Sequence, residues 1–264
     1  MTPSIKLTWS DVGPNSGPAM VFLHGFLGSR LDWADTMNRF SNVRCLAPDL
    51  PGHGQSPWDD TVDWDSLITT LNHDVLSRNL SDIVIVGYSM GGRIALEWAR
   101  TAPGLIRGII LESASPGIET DVERRARAIF DRDIERRLRT MAPIDFIDWW
   151  CSLPMFGTLN THPNYSQLRQ MRSQYSSTVM CRAFQTLSVT TRESVWDLMH
   201  TLPIWGFITG EHDTKYAAIA TRIIDRFPTV LVNILSNCAH NVHFQDIELF
   251  ANSLSSILEA KRFP

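Results

Sequence analysis

Lysine is nearly missing: 3 of the 24 basic side chains, which leaves 21 arginines. Arginine's planar fork grips a carboxylate at two points, which lysine cannot do. Genomic base bias gives the same ratio, so the imbalance decides nothing alone. Excess positive charge is missing too. A formal net charge of −4 argues against a general nucleic-acid or membrane role. No run approaches the ~20 apolar residues of a membrane span. The start, Met1-Thr2-Pro3-Ser4-Ile5-Lys6, has no apolar core of signal-peptide length, so a cytoplasmic protein is expected.

Cysteine is sparse, and Cys45, Cys151, Cys181 and Cys238 stand far apart. They lack metal-ligand spacing, so free thiols and no metal site are expected. Cys238 reads as a small apolar filler. No G-x-G-x-x-G or Walker pattern is present, so no cofactor is expected. Internal repeats and low-complexity runs are also lacking.

What is there is an ordinary globular composition, 44% hydrophobic and 20% charged over 264 residues. That length supports one substantial domain. Its organising stretch is Ile83-Val84-Ile85-Val86-Gly87-Tyr88-Ser89-Met90-Gly91-Gly92-Arg93. A short β-branched run has the character of a strand buried on both faces. A G-x-S-x-G follows, then a run of good helix formers. Glycine and serine are each roughly 7% of average usage, so the bare pattern matches by chance about 0.1 times in such a chain. Flanked by strand and helix, it reads as a nucleophile elbow. Its glycines keep neighbouring backbone clear, and the helix start aims unpaired N–H groups at the serine.

Taken in order, Ile5 to Trp9 alternates like an edge strand, and Ala19 to Leu23 is a buried strand ending in His24-Gly25-Phe26. That position is where the second oxyanion donor of an elbow enzyme comes from, so the backbone N–H groups of Phe26 and Met90 are the expected donors. Ser29 to Phe40 reads as a helix and Val43 to Ala47 as a strand. The loop Asp49-Leu50-Pro51-Gly52-His53-Gly54-Gln55-Ser56 follows, with His53 expected to be structural. Trp64 to Leu80 reads as a helix. Leu105 to Leu111 reads as a strand that delivers Glu112.

From about Ile118 to Trp196 the strand-like runs stop and the chain turns helical, charged and tryptophan-bearing. Strand–helix alternation resumes at Leu202. Alternation implies a mostly parallel central sheet, and the elbow, the His24-Gly25-Phe26 turn and the Asp49 to Ser56 loop resemble those of the α/β-hydrolase fold, which is the expected architecture. Its core spans 1–117 and 197–264, and 118–196 forms a helical cap over the strand ends. Ser89, Asp213 and His240 each follow a predicted strand, in the chain order of this fold. His240 takes the serine proton, and Asp213 fixes the imidazole tautomer. Glu112 competes for the acid and His243 for the base. His243 begins the last helix, where a surface or capping histidine is the commoner case. His24 and His212 border the site without a triad position.

Seven segments carry a closer resemblance. In order, they are G-Y-S-M-G-G-R, E-S-A-S-P-G-I, V-E-R-R-A-R, I-D-W-W, L-P-M-F, L-R-Q-M-R-S and G-E-H-D-T-K-Y. Together they resemble the menaquinone-pathway 2-succinyl-6-hydroxy-2,4-cyclohexadiene-1-carboxylate synthases, from about Val21 to Ala260 with gaps in the cap. The resemblance implies a lyase that abstracts a ring proton from a small polycarboxylate and expels pyruvate, without hydrolysis.

It also implies carboxylate binding by Arg93, Arg127 and Arg172, and substrate contact by Tyr88 and Trp149. Each has a plainer alternative. Arg93 could pair with Glu97, and Arg127 with Glu123 on an exposed helix bearing seven arginines from Arg124 to Arg139. Arg169 rivals Arg172, and Trp150 could exchange roles with Trp149. Phe156 reads as an apolar wall, and Lys215 lies near Asp213. An esterase or carbon–carbon bond hydrolase on the same triad is the competing activity; a catalytically silent binding module is the competing class.

Overall fold

Isoleucine and valine alternate through Ile83–Val86, and their branched side chains suit an extended backbone packed on both faces. The computed structural model, which describes residues 5–264, makes this run β4 (Ile83–Tyr88), buried at every position. Ile83 and Ile85 point into one apolar layer, and Val84, Val86 and Tyr88 into the other. Around β4 lie β1 (Trp9–Val12), β2 (Ala19–Leu23), β3 (Arg44–Pro48), β5 (Ile106–Glu112), β6 (Ile204–Gly210) and β7 (Leu231–Leu235). Their order across the sheet is β1-β3-β2-β4-β5-β6-β7. Only the β1–β3 ladder is antiparallel.

The edge strand departs from expectation. It runs over Trp9–Val12 rather than Ile5 to Trp9. Thr8 N–H donates to Ser56 Oγ, and Thr8 C=O accepts from Asp49 N–H, so the backbone before Trp9 ties to the loop after β3. Ile5 and Leu7 nevertheless sink their side chains into the core. The expected helix over Ser29 to Phe40 divides into a 3-10 turn, Arg30–Trp33, and α1 (Ala34–Arg39).

Helices α2 (Trp64–Ser77), α3 (Met90–Thr101) and α8 (Thr214–Arg226) contribute to the first layer, and α1 and α10 (Ile247–Ala260) to the second. Between β5 and β6 come α4 (Asp121–Thr140), α5 (Pro143–Cys151), α6 (Tyr165–Arg172) and α7 (Ser177–Thr186), with short 3-10 turns and no strand among these residues. Their apolar faces meet in a third cluster, which includes Ile134, Phe146, Trp150, Phe156, Met180 and Phe184, and which takes in Leu27 from the loop after β2. The short α9 (Val242–Gln245) precedes α10. No helix among the described residues is long and apolar enough to cross a membrane.

Candidate active site

The turn from β4 into α3 sets the geometry. Ser89 sits at φ 50°, ψ −106°, and its N–H donates to Glu112 C=O at 2.9 Å. A side chain at positive φ is strained, and such strain collects where function holds it. A Cβ on Gly91 would strike the Leu23 carbonyl, and one on Gly87 would lie 2.6 Å from the Gly92 Cα. These are the close approaches that demand glycine. Met90 opens α3, so its N–H has no acceptor within the helix.

Ser89, His240 and Asp213 come together although Ser89 and His240 are 151 positions apart. Ser89 Oγ donates to His240 Nε2 at 3.0 Å, and His240 Nδ1–H donates to Asp213 Oδ2 at 2.6 Å. Asp213 is fully buried and caps α8, its Oδ1 receiving Tyr216 N–H at 3.4 Å. The insertion reaches the histidine from above. His240 N–H donates to Met155 C=O at 3.0 Å, and the Phe156 ring stands edge-on to the imidazole at 5.4 Å. This arrangement can pass a proton from the serine hydroxyl to the imidazole.

The competing pair, Glu112 and His243, forms a second buried couple. Glu112 accepts His243 N–H at 3.0 Å and the Nδ1–H at 2.7 Å. His243 is therefore not a surface group. It is 4% exposed, with Trp33 stacked on it at 4.1 Å. Tyr88 stands between the couples, its ring 5.3 Å from His240 and 5.0 Å from His243. Contact between Tyr88 and substrate is not what the structure favours. Strand alternation sends its side chain to the α10 side, away from the Ser89 chamber.

The chamber beside Ser89 has a volume of about 70 Å³. Phe26, Met90, Trp150, Phe184 and Leu187 line it, together with Ser89 and His240. Arg93, Arg127, Phe130, Lys215 and Tyr216 line both this chamber and a neighbouring cavity of about 480 Å³. The two are read as one binding space, large enough together for a small organic ligand.

Arg93 does not pair with Glu97, which instead meets Arg100 at 2.7 Å and Arg192 at 3.3 Å. Its Nη2 donates to Leu187 C=O at 3.1 Å, while its buried Nε has no partner among the described residues. Burial, and then the charge of Arg127, lower its pKa to about 10. Arg127 pairs with Asp131 at 2.5 Å rather than with Glu123, and Ser188 donates to the same carboxylate at 2.6 Å.

Trp149 and Arg172 lie elsewhere. The Arg137 guanidinium covers the Trp149 ring at 4.2 Å, and Trp150 takes the place at the chamber. Arg172, only 6% exposed, faces Asp32 at 3.5 Å and lines a separate cavity of about 210 Å³ with Tyr175 and His243. A buried guanidinium needs a counter-charge, and Asp32 supplies it. Arg169 pairs with Asp148 at 2.5 Å. Sequence reasoning missed Tyr216, whose ring packs 4.7 Å from His240. Its place one helical turn after Asp213 was the available signal.

The loop carrying Phe26 is braced by two neutral histidines. His53 Nε2 accepts Leu27 N–H at 3.2 Å, and His24 Nε2 accepts Leu50 N–H at 2.9 Å. Burial lowers His24 to a pKa of about 4 and His53 to about 3. An unfolded histidine titrates near 6.5, so below that pH the unfolded chain binds protons that the folded chain refuses. Stability from this pair is complete above about pH 6.5 and falls toward pH 4, by about 1.4 kcal/mol per pH unit per histidine. Urea midpoints measured across that range are expected to fall, and more shallowly for His53→Gln. Equal slopes in the two proteins would remove His53 from this account.

Comparison with known proteins fits this geometry. The model of the alpha/beta hydrolase family matches residues 20–253. A 2-succinyl-6-hydroxy-2,4-cyclohexadiene-1-carboxylate synthase of Enterobacter sp. (strain 638) is 30% identical over 246 residues, 92% of this chain and 93% of that protein. A putative enzyme of the same name from Bacillus subtilis (strain 168) is 27% identical over 98% of this chain and 96% of its own length. The solved structure of MenH from S. aureus superposes with a TM-score of 0.88 at 27% identity, covering 96% of this chain and 98% of that one. An esterase from Exiguobacterium antarcticum, at TM-score 0.80 and 17% identity, shares the fold.

Proposed function

The chain belongs to the alpha/beta hydrolase family, and within it to the 2-succinyl-6-hydroxy-2,4-cyclohexadiene-1-carboxylate synthases; from that premise we propose that it eliminates pyruvate from 2-succinyl-5-enolpyruvyl-6-hydroxy-3-cyclohexene-1-carboxylate. His240 takes the Ser89 proton, and Asp213 stabilises the imidazolium that results. The Ser89 oxygen then removes a ring proton instead of attacking a carbonyl. Charge spreads onto the conjugated ketone carbonyl of the succinyl group, to whose oxygen the N–H groups of Phe26 and Met90 donate; each such donor is worth roughly 10²–10³ in rate. The ring carbon–oxygen bond to the enolpyruvyl group breaks with that electron pair. Pyruvate leaves after taking a proton from His240, and the ring keeps the new double bond.

The observation that carries this reading is Arg93, a half-buried cation that lines the Ser89 chamber with its buried Nε unpaired and no carboxylate in ion-pair range among the described residues. A triad alone does not separate a base from a nucleophile. A half-buried guanidinium with no carboxylate of its own does favour an anionic substrate over a neutral ester. The deciding experiment is a pyruvate-release assay on the purified protein. Turnover of aryl esters with no pyruvate formed would replace the proposal with an esterase. Arg93→Met is expected to raise KM about tenfold or more, the size of one charge-assisted contact, with its circular dichroism unchanged. An unchanged KM would reduce Arg93 to a structural donor for Leu187.

The division into a core of 1–117 and 197–264 and a cap of 118–196 belongs to the same reading. The separate apolar cluster of the insertion supports it. So does the bond from His240 N–H to Met155 C=O, which couples cap position to the base. The reaction is placed in the cytoplasm on a small-molecule substrate, in keeping with four buried, unpaired cysteines.

A further inference from the structure

Four cations face the joined cavities: Arg93, Arg127, Lys215 and Arg222. Two are compensated. Arg127 holds Asp131 at 2.5 Å, and Arg222 holds Glu119 while lying over the Trp196 ring at 4.3 Å. Glu123, the carboxylate of the larger cavity, accepts both the N–H and the hydroxyl of Thr120. Arg93 and Lys215 are left with no carboxylate in ion-pair range among the described residues.

Lys215 is the second residue of α8, two positions after Asp213. Its Nζ lies 5.3 Å from the centre of the Tyr216 ring, and that ring packs 4.7 Å from His240. The ring face attracts the ammonium, and so places it one aromatic ring away from His240. The side chain is exposed yet lines both cavities. A hydrated cation at such a mouth loses little solvation until a ligand covers it. A charge there also draws an anion inward.

We propose that Lys215 receives one carboxylate of the substrate at the mouth of the Ser89 chamber. This rests on the polycarboxylate reading of the site. Arg93 binds at the inner wall, Lys215 at the entrance, and a ligand spanning both is held across the oxyanion donors. Arg172 faces Asp32 at 3.5 Å and lines another cavity.

The test compares wild type, Lys215→Met and Lys215→Arg in pyruvate release. Lys215→Met is expected to raise KM about tenfold with kcat within about twofold, and Lys215→Arg to restore KM to within about threefold. The gap is expected to narrow as salt rises from about 0.05 to 0.5 M, since the charge is exposed. A KM within twofold of wild type, or a loss confined to kcat, overturns the assignment. A second arm uses calorimetry of tricarballylate binding to Ser89→Ala protein with and without Lys215→Met. A tenfold loss of affinity supports Lys215 even if wild type releases no pyruvate, in which case the proposed reaction falls and the polyanion site stands. Equal affinities, or no binding at all, count against Lys215.

Discussion

Ser89→Ala and Ser89→Gly are both expected to erase pyruvate release, by at least about a thousandfold, with the glycine variant the more stable of the two. Both lose the bond to His240 Nε2, so they differ only in backbone terms. Ser89 holds φ 50° and ψ −106°, a conformation that costs a residue with a Cβ about 1–3 kcal/mol. Glycine escapes that strain but loses roughly 0.5–1 kcal/mol in chain entropy. The net advantage is about 1 kcal/mol, which for a chain of this size is about 2 °C in Tm. Scanning calorimetry of the two inactive proteins checks it. An alanine variant melting at or above the glycine variant would show that the elbow stores no strain.

The largest stability effect is expected at Glu112, not within the triad. Its carboxylate satisfies both the backbone N–H and the ring Nδ1–H of His243, and its carbonyl receives Ser89 N–H. Glu112→Ala leaves two buried donors without partners, at about 1–3 kcal/mol each. A loss of about 4 kcal/mol, or roughly 10 °C in Tm, follows. Adding His243→Phe removes one orphaned donor and keeps an aromatic ring against Trp33. The double variant is therefore expected to recover about 1–2 kcal/mol. Urea unfolding of the single and double variants reads this coupling. Additive losses would mean that the two residues stabilise the fold independently.

The contrast between the two histidines shows how far local pattern reaches. His240 and Asp213 were legible because each follows a buried strand, and chain order on a parallel sheet places strand ends along one edge. The places of Phe26 and Met90 beside Ser89 were legible for the same reason, as they sit where a strand gives way to a turn. His243 was misread. Beginning a helix is a surface property only when nothing packs on it, and Trp33 and Glu112 come from 210 and 131 positions away. The edge strand slipped because the backbone of Thr8 is claimed by Asp49 and Ser56, partners that no window around residue 8 contains.

The sequence by itself determined the parallel sheet, the elbow, and which serine, histidine and aspartate meet at the strand ends, since strand length, branching and glycine placement are local quantities. It also announced an arginine-rich insertion. Only the tertiary structure decided which cations face Ser89. On an exposed helix an arginine has several carboxylates within reach, at i±3, i±4 and across to the next element, and the choice depends on packing distances. Packing gave Arg172 to Asp32, Trp149 to Arg137 and Glu97 to Arg100 and Arg192. Packing also left Arg93 and Lys215 at the chamber without a carboxylate in ion-pair range among the described residues, and on these two cations the proposed polyanion site rests.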